Sequence, residues 1–247
     1  MVFMLVVYWQ GQIKTEKVDW QLSSDSEVTL PKELEQRREK LWQEIIVQYP
    51  KAYDGMLLRL ENYCVIEDRI KLQMGRIGFS QVQTLLEANI RLEPYGVLGV
   101  QAIILSPDKR FLLYGERSKD HMHCPQFLGS PGGMLDIKDV EHPFWQACMR
   151  EIMEEAHIVL RGEKLLIAIT ADLYTPVGTV LLIHAIAEEQ PDVTKSVSGN
   201  DEWANRELHW YPVETLSALD NSKILEGLVF AKNDWQQFNN TGRSVIW

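Results

Sequence analysis

Cysteine, basic residues and long apolar runs are all scarce in this 247-residue sequence, and each shortage excludes a class of protein. The three cysteines Cys64, Cys124 and Cys148 are odd in number and widely spaced, which fits neither a disulfide framework nor a zinc motif. We therefore expect a reducing, cytoplasmic setting. The 25 Lys and Arg residues are outnumbered by 35 Asp and Glu, and the net charge of −10 argues against a nucleic-acid partner.

The first apolar run, from Val2 to Trp9, is too short to span a membrane, and a membrane partner is not expected. It predicts a first β-strand.

Helix-breaking residues are missing from one stretch of the second half of the chain. Pro143 is followed by no further glycine or proline until Gly162. Proline is tolerated in the first turn of a helix, where its missing N–H has no intrahelical partner in any case. The sequence therefore predicts a helix over residues 143–157.

Acidic residues replace apolar ones halfway along this predicted helix. Its apolar stripe begins with Phe144, Ala147 and Cys148. Helical spacing continues the stripe to positions 151 and 155, which hold Glu151 and Glu155, with Glu154 beside them. Most glutamate clusters are solvated surfaces, but a solvated surface lies opposite the apolar stripe and does not interrupt it. Carboxylates in this position indicate a cation, and hard oxygen ligands suit Mg²⁺ or Mn²⁺ better than zinc.

The residues around these carboxylates resemble the Nudix box of the Nudix hydrolases, G-x5-E-x7-R-E-U-x-E-E-x-G-U, where U is a bulky aliphatic residue. The matching residues are Arg150 to Glu155, preceded by Ala147 and by Pro131-Gly132-Gly133. Between Gly133 and Arg150 this chain has three more residues than the pattern allows, so that only Glu141 or His142 falls near the first Glu. His157 stands in place of the last Gly. We interpret these departures as a longer loop before the helix.

The resemblance implies an α+β fold, an α/β/α sandwich with a mixed β-sheet between helices. It also implies a metal site built from the carbonyl of Gly133, Glu151 and Glu155, with Glu154 on a second ion and Arg150 orienting Glu151 or Glu154. A later carboxylate acts as further ligand or base in this family, and Glu202 and Glu207 are both candidates. Arg117, at the exposed end of a predicted hairpin, is the candidate for substrate binding.

Residues 1–95 are predicted to form a small N-terminal α+β subdomain, and residues 96–247 the catalytic domain. In the catalytic domain, strands are predicted at 97–104, 111–114, 163–173, 179–187 and 209–211, and a short helix is predicted at 213–219. Segment 30–48 has the apolar spacing of an amphipathic helix, and three short strands are predicted after it, at 56–60, 63–67 and 70–74. Trp42, Tyr49-Pro50 and the run from Tyr53 to Leu60 are similar to the N-terminal region of the Nudix branch that hydrolyses UDP-glucose and UDP-galactose. That resemblance implies a role in substrate selection, and the alternative is a cover for the flank of the catalytic domain.

The implied reaction is hydrolysis of a nucleoside diphosphate linked to a moiety X, with Mg²⁺ or Mn²⁺, on a small-molecule nucleotide such as a UDP-sugar. ADP-ribose, dinucleotides and oxidised nucleotides remain open as substrates, and a homodimer is compatible with the family. A nucleotide-binding module that has lost hydrolysis is a second hypothesis, because of the irregular spacing and His157. A prenyl diphosphate isomerase and a soft-metal site at His121, His123 and Cys124 are disfavoured, since neither has its usual ligand or cysteine context.

Overall fold

The computed structural model describes residues 5–50, 52–172 and 178–247, with the side chains of all of these except residues 24–26 and 151. The helices of this part of the chain are α1 (Lys32–Gln48), α2 (Phe79–Glu87), α3 (Phe144–Ala156) and α4 (Glu226–Thr241). The strands are β1 (Val7–Lys14), β2 (Val18–Glu27), β3 (Met56–Ile66), β4 (Arg69–Gly78), β5 (Val97–Leu105), β6 (Phe111–Glu116), β7 (Leu128–Gly129), β8 (Leu160–Ala171), β9 (Gly178–Ala187), β10 (Val197–Ser198) and β11 (Glu207–Pro212).

The described strands form one mixed sheet. Its main path runs β1-β8-β9-β5-β3-β4-β2, and β6 joins β5 to β7 and β11. β5 and β9 are parallel, whereas β3 pairs antiparallel to β4 and to β5. β1 and β2 lie at opposite ends of the path, but only the 3₁₀ turn Thr15–Lys17 separates them in the chain. The sheet must therefore curl until its two ends meet.

β5 is central because both of its faces are buried between helices. Ala102 and Ile104 pack with Ile152 of α3, whereas Ile103 and Leu105 pack with the side of the sheet that α4 covers. Successive side chains of a strand point to opposite faces, so an uninterrupted apolar strand suits a sheet covered on both sides. This arrangement is the expected α+β class, with a mixed sheet between helices.

The segment from Pro131 to Asp136 lies against β5, where the sheet would otherwise open. The carbonyl of Pro131 accepts a hydrogen bond from Ala102 N–H at 2.7 Å, and Leu135 N–H donates to Leu98 O at 3.0 Å. On its other side Leu135 O accepts from Leu58 N–H of β3 at 2.9 Å. This segment contains the glycine turn, Pro131-Gly132-Gly133. It is held between two strands, β5 and β3, and β3 comes from the N-terminal region.

Most predicted elements are confirmed. The helices expected over 143–157 and 30–48 are α3 and α1, and the strands expected around 97–104, 111–114, 163–173, 179–187 and 209–211 are β5, β6, β8, β9 and β11. Residues 2–4 of the first predicted strand and Leu173 lie outside the described residues. The helix predicted over 213–219 is a 3₁₀ helix, Val213–Ala218.

One expectation for the N-terminal region is wrong, and one strand there has no counterpart among the predictions. The strands predicted at 56–60 and 63–67 are a single strand, β3, because the register shift between Leu60 and Asn62 absorbs the polar residues in the middle as a bulge. β2 was not predicted, since its sequence VDWQLSSDSE has few apolar residues. It pairs in parallel with β4, while β1 pairs with β8 of the C-terminal region. The N-terminal residues therefore extend the same sheet.

His184 on β9 is a buried histidine, 6% exposed, and neither of its ring nitrogens has a hydrogen-bond partner among the described residues. Burial lowers its pKa to about 4, and the nearby charge of Lys109 adds to this. A folded-state pKa below the unfolded value stabilises the fold above pH ~6.5. That stability is lost as the pH falls toward 4. We expect His184 to cost the folded protein roughly 2 kcal/mol at pH 5 relative to pH 7.

Urea unfolding of the His184→Leu variant at pH 7 and pH 5 tests this expectation. The variant should unfold with a weaker pH dependence than the wild type, because an apolar side chain of similar size needs no hydrogen bond. His142→Leu is the matched control, since His142 is exposed and its side chain should contribute little. An unchanged pH dependence in the His184 variant would contradict the burial argument.

Candidate functional site

The glycine turn brings the backbone within reach of α3. Gly132 N–H donates to the Oε2 atom of Glu155 at 2.9 Å, and the Gly133 carbonyl accepts from Val100 N–H at 2.9 Å. Gly132 has a φ of +159°, and a Cβ placed on it would lie 1.9 Å from the Val100 carbonyl oxygen. No other residue fits so close to β5, so the glycine is required by packing.

Glu155 occupies the buried face of α3, as the interrupted apolar stripe predicts. It is 3% exposed and lies one position before Ala156, which is fully buried. Burial raises the pKa of the Glu155 carboxyl well above its ordinary value, and the neighbouring charge of Glu202 raises it further. A carboxyl group held in this way favours a proton or a cation beside it.

Glu202 reaches this carboxyl group from the segment before β11. Its carbonyl accepts from Ser118 N–H at 2.7 Å, and its own N–H donates to Asn200 Oδ1 at 3.0 Å. Its carboxylate lies close enough to Glu155 for each group to shift the pKa of the other, and it lies 3.4 Å from His121 Nε2. The contact with His121 is the main reason that the pKa of Glu202 is lowered. Within the pair, burial therefore favours a proton on Glu155, and Glu202 is the group that ionises more readily.

Arg117 supplies positive charge to the same place. It follows β6, where it forms a β-bridge with Trp203, the residue next to Glu202. Its Nη1 atom donates to the carbonyl of His123 at 3.2 Å, and its charge lowers the pKa of both Glu155 and Glu202. The structure thus brings Arg117, Glu155 and Glu202 together from three separate parts of the chain.

Glu207, the other late carboxylate considered from the sequence, has different neighbours. It accepts from Ser196 Oγ at 3.0 Å and lies 3.6 Å from His209 Nε2. It pairs through its backbone with Ser198 of β10.

Arg150 joins two carboxylates. Its Nη1 atom lies 3.2 Å from a carboxylate oxygen of Glu154, and its Nε and Nη2 atoms donate to Asp139, the nearer of them at 2.9 Å. Asp139 lies in the 3₁₀ helix Ile137–Glu141, within the loop that exceeds the family pattern, and its side chain is 5% exposed. The extra loop residues thus supply a buried partner for the arginine. The helical i,i+4 spacing predicts Glu154 as a partner of Arg150, but no spacing rule predicts Asp139.

The backbone conformation at the end of α3 explains why the family pattern has a glycine at this position. His157 caps the helix with φ 50° and ψ 30°, the left-handed conformation that glycine adopts most easily. The helix therefore ends in the expected geometry without the glycine, at a conformational cost of about 1 kcal/mol.

The atoms near the glycine turn that could bind a metal ion are hard oxygen atoms. A divalent cation would take the place of the proton that burial favours on Glu155, and carboxylates suit Mg²⁺ or Mn²⁺. The backbone of Glu151 lies in α3 one turn before Glu155, while its side chain lies outside the described residues. Among the side chains that are described, no three His, Cys, Asp or Glu residues gather around one point. The carboxyl chemistry of Glu155 and Glu202 fits a divalent metal ion.

The disfavoured soft-metal residues have other surroundings. His123 Nε2 lies 3.2 Å from Gln83 Nε2 of α2, and burial lowers the pKa of this imidazole to about 4. Burial raises the pKa of the Cys124 thiol to about 12, so the thiolate that a soft metal needs is disfavoured.

A cavity of about 400 Å³ opens beside the carboxyl pair. Its lining includes the glycine turn, Arg117 and Glu202, and it extends to α2 and to the first residue of α4. Gln101 and Glu226 line it as well, and Gln101 Nε2 donates to Glu226 Oε2 at 2.9 Å. The sequence offered no signal for this last pair, because 125 positions separate the two residues.

Comparison with known proteins identifies the central and C-terminal parts of the chain. Residues 97–229, more than half of its length, match the family model described as NUDIX domain. No curated protein matches the chain. Among the described residues, no helix has the length and apolar character needed to cross a membrane.

Solved structures with similar folds were also found. The MutT protein from Methanosarcina mazei Go1 is 16% identical, with 62% of this chain and 99% of that chain covered and a TM-score of 0.42. A MutT NUDIX hydrolase from Burkholderia pseudomallei is 21% identical, with 56% and 96% covered and a TM-score of 0.42. A bifunctional NMN adenylyltransferase/ADP ribose pyrophosphatase from Francisella tularensis, solved with AMP and a manganese ion, is 16% identical, with 63% and 44% covered and a TM-score of 0.40.

Proposed function

Because the chain belongs to the NUDIX domain family, we propose that it is a Mg²⁺-dependent hydrolase that cleaves the diphosphate of a nucleoside diphosphate linked to a second moiety X. Family membership supports a Nudix-type pyrophosphatase that acts on small nucleotides. The observation that carries the proposal is the pair of neighbouring carboxyl groups, Glu155 and Glu202, beside a glycine turn and a cavity of about 400 Å³.

The residues proposed to hold the metal are Glu151, Glu155 and the carbonyl of Gly133, with Glu154 on a second ion. Gly132 N–H fixes one oxygen of Glu155, and the Gly133 oxygen keeps a second lone pair beside its bond to Val100. When bound, a divalent ion neutralises phosphate oxygens and lowers the pKa of a water molecule. Arg150 holds Glu154 by a contact of 3.2 Å that Asp139 supports from the other side.

Glu202 is the proposed general base. Its lowered pKa keeps it ionised at neutral pH, so it can accept a proton from the attacking water. The water oxygen forms a bond to one phosphorus atom, and the bond from that phosphorus to the bridging oxygen breaks. The products are a nucleoside monophosphate and the phosphate of X. The guanidinium of Arg117 is placed to stabilise the negative charge that develops on the phosphate.

UDP-glucose and UDP-galactose are substrates to test first, because Trp42, Tyr49-Pro50 and the run from Tyr53 to Leu60 resemble the N-terminal region of the branch that hydrolyses them. ADP-ribose and dinucleotides are the alternatives. A cytoplasmic setting fits the three cysteines, none of which forms a disulfide, and a homodimer is a further proposal from the family alone.

A panel of these nucleotides, assayed for nucleoside monophosphate release with Mg²⁺, with Mn²⁺ and without metal, tests the proposal. On the best substrate, Glu202→Gln should lower kcat by about 10²-fold or more, because the base is lost. Glu207→Gln is the matched comparison and should stay within about threefold of the wild type. If no nucleotide is cleaved with either metal, the chain is a binding module. If Glu207→Gln has the larger effect, the base is assigned to the wrong carboxylate.

A further inference from the structure

The cavity beside the carboxyl pair has two different ends. One wall is apolar and comes from α2, through Phe79, Val82 and Leu86. The other end contains Gln101 of β5 and Glu226, the first residue of α4. Ligand pockets commonly combine an apolar wall with a few polar groups that determine orientation and specificity.

The polar end is held rigidly. Glu226 is 2% exposed and accepts from Gln101 Nε2 at 2.9 Å, while Gln101 Oε1 accepts from Gly227 N–H at 2.7 Å. Both ends of the Gln101 amide group are therefore engaged, and the amide cannot turn over without losing both bonds. The carboxylate of Glu226 is fixed in place where it lines the cavity.

This end of the cavity is rich in acceptors. An ionised carboxylate only accepts hydrogen bonds, and it can accept several at once. Asp172 lines the same cavity, and the charges of Asp172 and Glu226 both act on the Cys124 thiol, which lines it too. A ligand group that binds here must donate hydrogen bonds, because an acceptor facing these carboxylates would be repelled and left unpaired.

We propose that this cavity binds the nucleobase of the substrate, and that Glu226 selects a base with an exocyclic amino group over its oxo counterpart. This inference rests on the proposed function, since it assigns the cavity to the nucleotide whose diphosphate lies at Glu155 and Glu202. The base lies against the side chains of α2, and its amino group donates to Glu226. Uracil, with carbonyl oxygens in place of an amino group, is the poorer fit. Within the proposed function, this inference therefore favours ADP-ribose and adenine dinucleotides over the UDP-sugars that the N-terminal resemblance suggests.

The apolar wall gives the N-terminal region a part in this selection. α2 spans Phe79–Glu87, outside the residues 97–229 that match the family, whereas Glu226 lies inside them. The pocket is therefore completed by residues that the family pattern does not contain.

Equilibrium binding of two matched pairs of nucleoside monophosphates, measured by calorimetry without added metal, tests the proposal. AMP and IMP differ by an amino and an oxo group, and so do CMP and UMP. We expect the amino member of at least one pair to bind about 10-fold or more tightly than its oxo partner, the value of a hydrogen bond to a charged group. In Glu226→Gln the difference should vanish or reverse, because one carboxylate oxygen becomes an N–H donor.

Glu226→Gln keeps an amide oxygen that can still accept from Gln101, so the fold should survive, and a thermal melt verifies this. Glu214→Gln, at an exposed position of the 3₁₀ helix Val213–Ala218, is the matched control and should keep the wild-type preference. Equal or tighter binding of IMP and UMP, or an unchanged preference in Glu226→Gln, would overturn the proposal. Binding needs no hydrolysis, so an amino preference without turnover would reject the proposed reaction and leave the base site standing.

Discussion

Glu155→Gln is expected to lower kcat for diphosphate cleavage by about 10³-fold or more while the protein stays folded. The amide oxygen can still accept from Gly132 N–H, so the contact between α3 and the glycine turn survives. What the variant loses is the negative charge that would hold a divalent ion. Steady-state kinetics with Mg²⁺ and with Mn²⁺, beside a thermal melt, measures both effects.

The Glu155→Gln variant should not be destabilised, because burial of the ionised Glu155 carboxylate is unfavourable in the absence of metal. Its folded-state pKa is raised above the unfolded value, so it stabilises the fold below about pH 4.5. That contribution is lost as the pH rises through the folded pKa. With a metal chelator present, the free energy of unfolding of the wild type should therefore fall as the pH rises toward 8, and that of the variant should fall less. Full activity in Glu155→Gln would reject the assignment of this residue, whatever the melting curve shows.

Gly132→Ala is expected to lower the free energy of unfolding by about 3 kcal/mol or more, and kcat/KM by about 10²-fold or more. The added Cβ would lie 1.9 Å from the Val100 carbonyl oxygen and 2.8 Å from the Gln101 Cα atom. Both are backbone atoms of β5 that cannot turn aside, so the glycine turn must move. Its N–H would then leave Glu155.

Gly162→Ala separates the collision from the loss of glycine freedom. Gly162 has a φ of +63°, which is strained for alanine, but among the described residues no atom lies within 4 Å of the place that a Cβ would take. This control should cost only about 1 kcal/mol and leave kcat/KM unchanged. Urea unfolding and initial rates provide both numbers. Similar losses in the two variants would mean that the close packing of Gly132 on β5 has no special role.

Helix α3 shows which features can be predicted from the local sequence pattern. Its extent follows from the absence of glycine and proline after Pro143, and its buried face follows from the spacing of its apolar residues. A glutamate at position 155 of that face has few physical explanations, so a cation was predictable before any contact was known. The observed exposure of Glu155, 3%, confirms its place on the buried face.

The N-terminal strands show where local pattern fails. β2 is stabilised by its hydrogen bonds to β4, which the polar sequence of β2 does not reveal. The bulge in β3 breaks the alternation of apolar residues, so that one strand looks like two. In both cases pairing with a neighbour outweighs the preferences of the segment itself.

Helix α3, its carboxylates and the glycine turn were determined by the sequence alone, because each depends on residues a few positions apart. The tertiary structure decided which distant groups join them. Glu202, rather than Glu207, meets Glu155 because Ser118 and Arg117 pair with the backbone beside it. Asp139 meets Arg150, and Glu226 meets Gln101, across separations that no periodicity encodes. These contacts follow from how the sheet curls and how the helices pack on it, and they complete the site.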